Sequence, residues 1–365
     1  MIPGVLRGLL SLTGTPVLLR HYVSSVCLAD PACRAIATPC QYRSCRFSVV
    51  MSLASSPPPS RDTTNTAIVD RAAAFFQLLQ QEICDGLEAL DGDAKFRIDN
   101  WTRDESEASG PILGGHGSTR VLQGGRVFEK AGVAFSYVHG RFSEAYAQQF
   151  PGDGLDFVAT GVSLVLHPRN PHAPTVHANY RRLSRGSSGW FGGGADLTPY
   201  YLYPEDAHHF HAVHREACEK HPEIANFAEL KKACDAYFWL SHRNEARGVG
   251  GIFFDHFMGD TEKTFAFVQD AGRAFLSAYL PIAERRQHAH YTESEREWQL
   301  VRRGRYVEFN LVHDRGTLFG LKTGGRIESI LMSLPNMVSW VYDHQVEPGS
   351  REAELLDVVR QPRDW

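Results

Sequence analysis

The stretch Thr175-Val176-His177-Ala178-Asn179-Tyr180-Arg181-Arg182-Leu183 changes character from one position to the next over much of its length. Period two is the mark of a β-strand, in which successive side chains point to opposite faces. His177, Asn179 and Arg181 therefore share one face. Residues 95–101, 126–141 and 155–167 upstream are also β-branched or aromatic, with Gly, Pro and Asn between them. No helical pattern intervenes, so antiparallel pairing is the simplest solution; a parallel crossover needs about a dozen residues or more.

Working outward, Ala67, Ile68, Ala72, Phe75, Phe76, Leu79, Ile83 and Leu87 recur at helical spacing, and Gly92 stands where that helix should end. Downstream, helices are expected at 204–221, which opens with Pro204, at 228–247, with Leu230, Ala233, Tyr237 and Leu240 along one side, and at 262–286. Further strands are expected at 248–257, 306–312, 318–322 and 326–332, and a closing helix at 352–360. The fold class is α+β: a large antiparallel sheet with helices packed on its faces, in one domain over residues 66–365.

Composition agrees with a globular protein. The 365 residues are 43% hydrophobic and 22% charged, with a formal net charge of -4, so no overall field draws the chain to nucleic acid or an anionic membrane. No apolar run reaches the roughly 18 to 20 residues of a spanning helix. Residues 1–50 hold Arg7, Arg20, Arg34, Arg43 and Arg46 against the single acid Asp30, a composition that suits a mitochondrial transit peptide. A Ser/Pro-rich linker follows at 51–65, and Met51 offers an alternative start. Two compartments stay open: the cytoplasm, for a chain starting at Met51, and the mitochondrial intermembrane space.

A strand face carrying an imidazole, an amide and a guanidinium makes a poor core, because each group would need a buried partner. It suits the floor of a cleft in which Arg181 grips a carboxylate and His177 moves a proton, or else an unoccupied wet face. Phe191-Gly192-Gly193-Gly194-Ala195-Asp196 lets backbone approach a flat partner, though the pattern itself favours a glycine turn capped by Asp196. His208, His209, His211 and His214 include two pairs three apart, which share a helix face and fit either a metal or solvated or interface-facing imidazoles. Gly324-Gly325-Arg326 reads as a tight turn able to cradle an anion. Arg302, Arg303, Arg305 and Arg315 add local positive charge, which either an acidic ligand or surface ion pairs would explain.

Taken with Val127-Phe128-Glu129-Lys130-Ala131-Gly132-Val133, the run to Pro199, the segment from His242-Arg243 to Phe254-Asp255, and residues 302–310, these motifs resemble the oxygen-dependent coproporphyrinogen oxidases over nearly all of the chain beyond the linker. Ala134, Gly189 and His256 depart from the family pattern. The resemblance implies a homodimer built on a large flat antiparallel sheet flanked by helices. It also implies oxidative decarboxylation of the ring A and B propionates of coproporphyrinogen III to vinyls, giving protoporphyrinogen IX, carbon dioxide and hydrogen peroxide in haem biosynthesis.

Molecular oxygen is then the co-substrate, with no organic cofactor. By the same resemblance His177 is a proton donor, and Asp196 sits opposite the pyrrole N–H groups. Substrate contacts fall on Ser163, Asn179, Tyr180, Arg181, Gly324, Gly325 and Arg326. Bacterial members have been assigned a metal through positions matching His167, His177, His211 and His242; a divalent metal is not expected to be required here.

Overall fold

The computed structural model describes residues 63–103, 113–322 and 325–365. The leader, most of the linker and Gly324 lie outside them. Helix α1 (Thr63–Asp91) starts inside the expected linker and ends at Gly92, whose φ of +75° suits a residue without Cβ. Asp91, fully buried at its end, accepts backbone N–H bonds from Ala94, Arg126, Val127 and Phe128. That carboxylate pins the helix to the start of the sheet.

Strands β1 (Arg97–Arg103), β2 (Leu113–Gln123), β3 (Phe128–Arg141), β4 (Asp156–Pro168), β5 (Thr175–Arg185) and β6 (Ser188–Thr198) form an antiparallel meander, with the four-residue α2 (Glu144–Ala147) between β3 and β4. Helices α3 (Pro204–Glu219) and α4 (Phe227–Tyr237) and the hairpin of β7 (Trp239–Leu240) and β8 (Glu245–Ala246) follow. Strand β9 (Gly250–Phe257) then pairs with β6 and completes a seven-stranded sheet of order β1-β2-β3-β4-β5-β6-β9. The glycine run is thus strand, not turn: a Cβ on Gly194 would lie 2.2 Å from the Ile252 carbonyl, so glycine is what lets β9 dock.

Register sorts the two faces. Val133, Leu164, Ala178, Ala195 and Ile252 form one cross-strand row, all buried. Helices α1 and α5 (Thr261–Arg286) cover that face: Gln80 donates to the Ser118 and Val133 carbonyls, Tyr180 donates to the Ala271 carbonyl, and Phe191 stacks on Phe265. On the other face Tyr237 of α4 stacks on Phe253 at 4.1 Å. Met332 meets the backbone of Gly132 there. Helices therefore flank both faces, as expected. Among the described residues no helix is long and apolar enough to cross a membrane.

Three expected strands are corrected. Residues 306–312 belong to α6 (Glu293–Glu308) and a π-helical turn (Phe309–His313), while α7 (Arg315–Lys322) and α8 (Ile327–Leu331) replace the strands expected at 318–322 and 326–332. The Thr292 and Glu295 capping box starts α6, and short apolar runs do not by themselves distinguish helix from strand. The helix expected over 228–247 stops at Tyr237; Asn244, at a φ of +53°, turns the chain into the β7/β8 hairpin. The closing helix α9 (Arg351–Arg360) lies where it was expected.

Candidate active site

His177 on β5 and Asp196 on β6 are direct cross-strand partners, so their side chains emerge on the same face. His177 Nδ1 lies 2.9 Å from Asp196 Oδ1. Arg247, between β8 and β9, closes on the same carboxylate: Nη2 donates to Oδ1 at 2.7 Å and to Oδ2 at 2.9 Å, and Nε donates to Oδ2 at 3.2 Å. The guanidinium also donates to Asn310 Oδ1 and lies 4.1 Å from the Phe238 ring centre and 4.7 Å from those of Tyr306 and Phe309.

Asp196 is 1% exposed and Arg247 2%. Burial works against the carboxylate charge, but Arg247 beside it and the bond from His177 outweigh burial and hold the Asp196 carboxyl below its usual range. An ionised carboxylate only accepts, so His177 donates through Nδ1–H and keeps Nε2 for the open side. With its side chain 21% exposed, His177 is the member of the three that reaches outward. Both Asp196 oxygens already accept hydrogen bonds, Oδ1 from His177 and Arg247 and Oδ2 from Arg247.

Two residues along β5, Asn179 shares a row with Ser163 on β4 and Gly194 on β6. Arg181 comes next, donating Nη1 to Asn179 Oδ1 at 2.8 Å and pairing Nη2 with Asp255 Oδ1 at 2.9 Å. His177, Asn179, Arg181 and Ser163 thus line one face. Tyr180 does not: it is buried on the opposite face with its hydroxyl donated to α5, so its side chain offers the site nothing.

Arg326 caps the start of α8, pairs with Asp99 at 2.7 Å and donates to Ser329 Oγ. Asp99, Thr119, Ala134, Ser163 and Asn179 form one cross-strand row, so the Arg326 anchor stands four strand spacings, roughly 19 Å, from Asn179. Gly325 donates its N–H back to the Gly320 carbonyl, which folds the turn onto α7.

The four-histidine metal set does not assemble. His167 is fully buried with its nitrogens on Thr175 Oγ1 and the Ser333 carbonyl, and His211 lies against the Val249 carbonyl inside α3. His242 joins His313 and Glu308, and His177 bonds Asp196 through Nδ1. Among the described residues no group of three or more His, Cys, Asp or Glu could hold a metal ion. Burial pushes His211 down to about 3 and His214 to about 4, so both are neutral packing groups. The α6 arginines are internal ties as well: Arg302 to Glu245, Arg303 to Glu129, Arg305 to Glu308.

Residues 71–365 match the family model described as coproporphyrinogen III oxidase. The chain belongs to that family. Among its relatives, one from Synechococcus sp. (strain CC9902), named oxygen-dependent coproporphyrinogen-III oxidase, is 48% identical over 336 residues, covering 84% of this chain and 90% of the relative. Against this family background, Arg247 is the site residue that the residue patterns missed. It sits in a stretch with helical spacing; the signal that could have found it is the need of any buried aspartate for a cation.

Proposed function

We propose that the protein is an oxygen-dependent coproporphyrinogen oxidase, an oxidoreductase of haem biosynthesis. It converts the ring A and B propionates of coproporphyrinogen III to vinyls and yields protoporphyrinogen IX. For each propionate the balance is one side chain, one O2 and one proton giving one vinyl, one CO2 and one H2O2. The C–COO⁻ bond breaks, a hydrogen leaves the carbon next to the pyrrole, and oxygen takes both electrons.

The observation that carries this reading is a sheet face that bears an oriented histidine and arginines, in a chain of this family. His177, oriented by an ionised Asp196 that Arg247 neutralises from behind, has one imidazole nitrogen free to move a proton at the reacting side chain. Arg181 and Arg326, far apart on one face, suit the carboxylates of a tetra-acidic macrocycle, with Ser163, Asn179 and Gly325 beside them. A preorganised ion pair stabilises charge that develops on the ring at less cost than reorganising water would.

Within this reading Gly324 lies outside the described residues, Tyr180 contributes backbone alone, and two copies form a homodimer, which the protein's mass in solution tests. The decisive assay feeds coproporphyrinogen III to purified protein and follows oxygen uptake, vinyl product and peroxide together. Equal amounts of the three are expected, with none under anaerobic conditions. Tight tetrapyrrole binding without vinyl product would mark a carrier and overturn the reading.

A further inference from the structure

The pairing of β6 with β9 is irregular at one place. Phe191 pairs with Phe257 and Gly193 with Phe254, so Asp255 and His256 of β9 both oppose the single residue Gly192. This is a β-bulge, with His256 in the left-handed region at a φ of +54°. Bulges next to active sites re-aim side chains, and this one lays the Asp255 carboxylate toward Arg181.

The fit is close. A Cβ on Gly192 would stand 2.7 Å from Asp255 Oδ1 and 2.9 Å from Arg181 Nη2, so the ion pair lies flat over a glycine that leaves it room. Asp255 Oδ1 also accepts the His256 N–H at 3.0 Å, which fixes the carboxylate plane. Its other oxygen faces Arg315 of α7 at 3.5 Å and His256 Nδ1 at 3.7 Å. Arg315 in turn lies 4.9 Å from the ring centre of Tyr237, on α4.

We propose that Asp255 is a positioning residue for the reaction: it orients Arg181 for a substrate carboxylate and ties that guanidinium to the helix over the site. The inference rests on the reading of Arg181 as a carboxylate anchor. Held by Asn179 on one nitrogen and Asp255 on another, the guanidinium presents its remaining N–H groups in a fixed direction before substrate arrives.

Steady-state kinetics with coproporphyrinogen III test it. Asp255→Ala should raise KM about tenfold with kcat within about twofold, because the anchor acts in ground and transition states alike. Asp255→Asn keeps an acceptor oxygen and should raise KM about threefold. In an Arg181→Ala background the Asp255→Ala change should move KM less than about twofold, the mark of a residue acting through Arg181. An unchanged or lowered KM in Asp255→Ala, or equal rises in both backgrounds, overturns the assignment. If Arg181→Ala alone leaves KM at the unsubstituted value, the anchor reading itself fails and takes this proposal with it.

Discussion

Along β5, neighbouring residues live under opposite rules. Ala178 and Tyr180 point toward α1 and α5, are buried, and close a dry layer with Leu164, Ala195 and Phe254. His177, Asn179 and Arg181 point the other way and stay partly exposed. Their partners are polar side chains of β5 itself, β6 and β9: the Asn179–Arg181 pair, Asp196 and Asp255. One face derives its stability from apolar burial, while the other keeps charged groups satisfied sideways and so leaves them able to meet a ligand. The difference predicts that substitutions on the two faces separate into losses of stability and losses of activity.

The greatest strain on that division comes at Asp196, which belongs to the working face yet is buried. Asp196→Ala should cut turnover about a thousandfold by freeing His177 of its orienting acceptor. The same change strands the Arg247 guanidinium without its carboxylate, at about 3–5 kcal/mol of folding stability. Turnover and a denaturant melt, measured together, check both; a full melt with lost turnover would confine the residue to chemistry.

Acid probes the same pair more gently. The folded Asp196 carboxyl is held below its ordinary value, so its contribution to stability is fully present above that value and is lost as pH falls through the folded one. Stability contributed by this group should be level from neutral pH down to the ordinary carboxylate range and fall below it. Asp196→Asn should remove that part of the slope, as urea unfolding at stepped pH would record.

How far this division could be read beforehand varied with the element. The period-two pattern of β5 assigned His177, Asn179 and Arg181 to one face without any structure, because each strand residue has only two directions to choose from. Helix α1 was equally plain from its spacing and Gly92. The β6 glycines looked like a turn because local propensity says nothing of a partner strand about 60 residues later, and pairing overrode it. Residues 306–332 misled because short apolar runs suit one side of a helix as well as a strand. Arg247 was hidden for a third reason: its importance lies in a contact with Asp196 across 51 positions, which no local pattern carries.

A smaller test bears on the outer edge of the working face. Arg326 pairs with Asp99 while both side chains are one-third exposed, so its loss should cost the fold little. Arg326→Ala should raise KM about tenfold with kcat unchanged, since a carboxylate far from the reacting carbon is bound equally before and during reaction. A fall in kcat alone would place Arg326 nearer the chemistry than the roughly 19 Å of sheet between Asp99 and Asn179 suggests.

The smallest expected effect is the sharpest test of the two-face division, because it falls one residue from Asn179 and Arg181. Tyr180→Phe deletes a hydroxyl that donates to the Ala271 carbonyl at 2.8 Å and leaves the ring in its packing with the core. The loss of one buried hydrogen bond should lower stability by about 1 kcal/mol. Kinetics should not move at all, because the backbone of Tyr180 is unchanged and its side chain points to α5. A shift in KM without a shift in stability would mean that the strand's faces exchange information through the backbone. Asn179→Ala is the paired control, with KM expected to rise and stability to hold. The opposite result for either residue would break the separation at the point where the two faces are a single peptide apart.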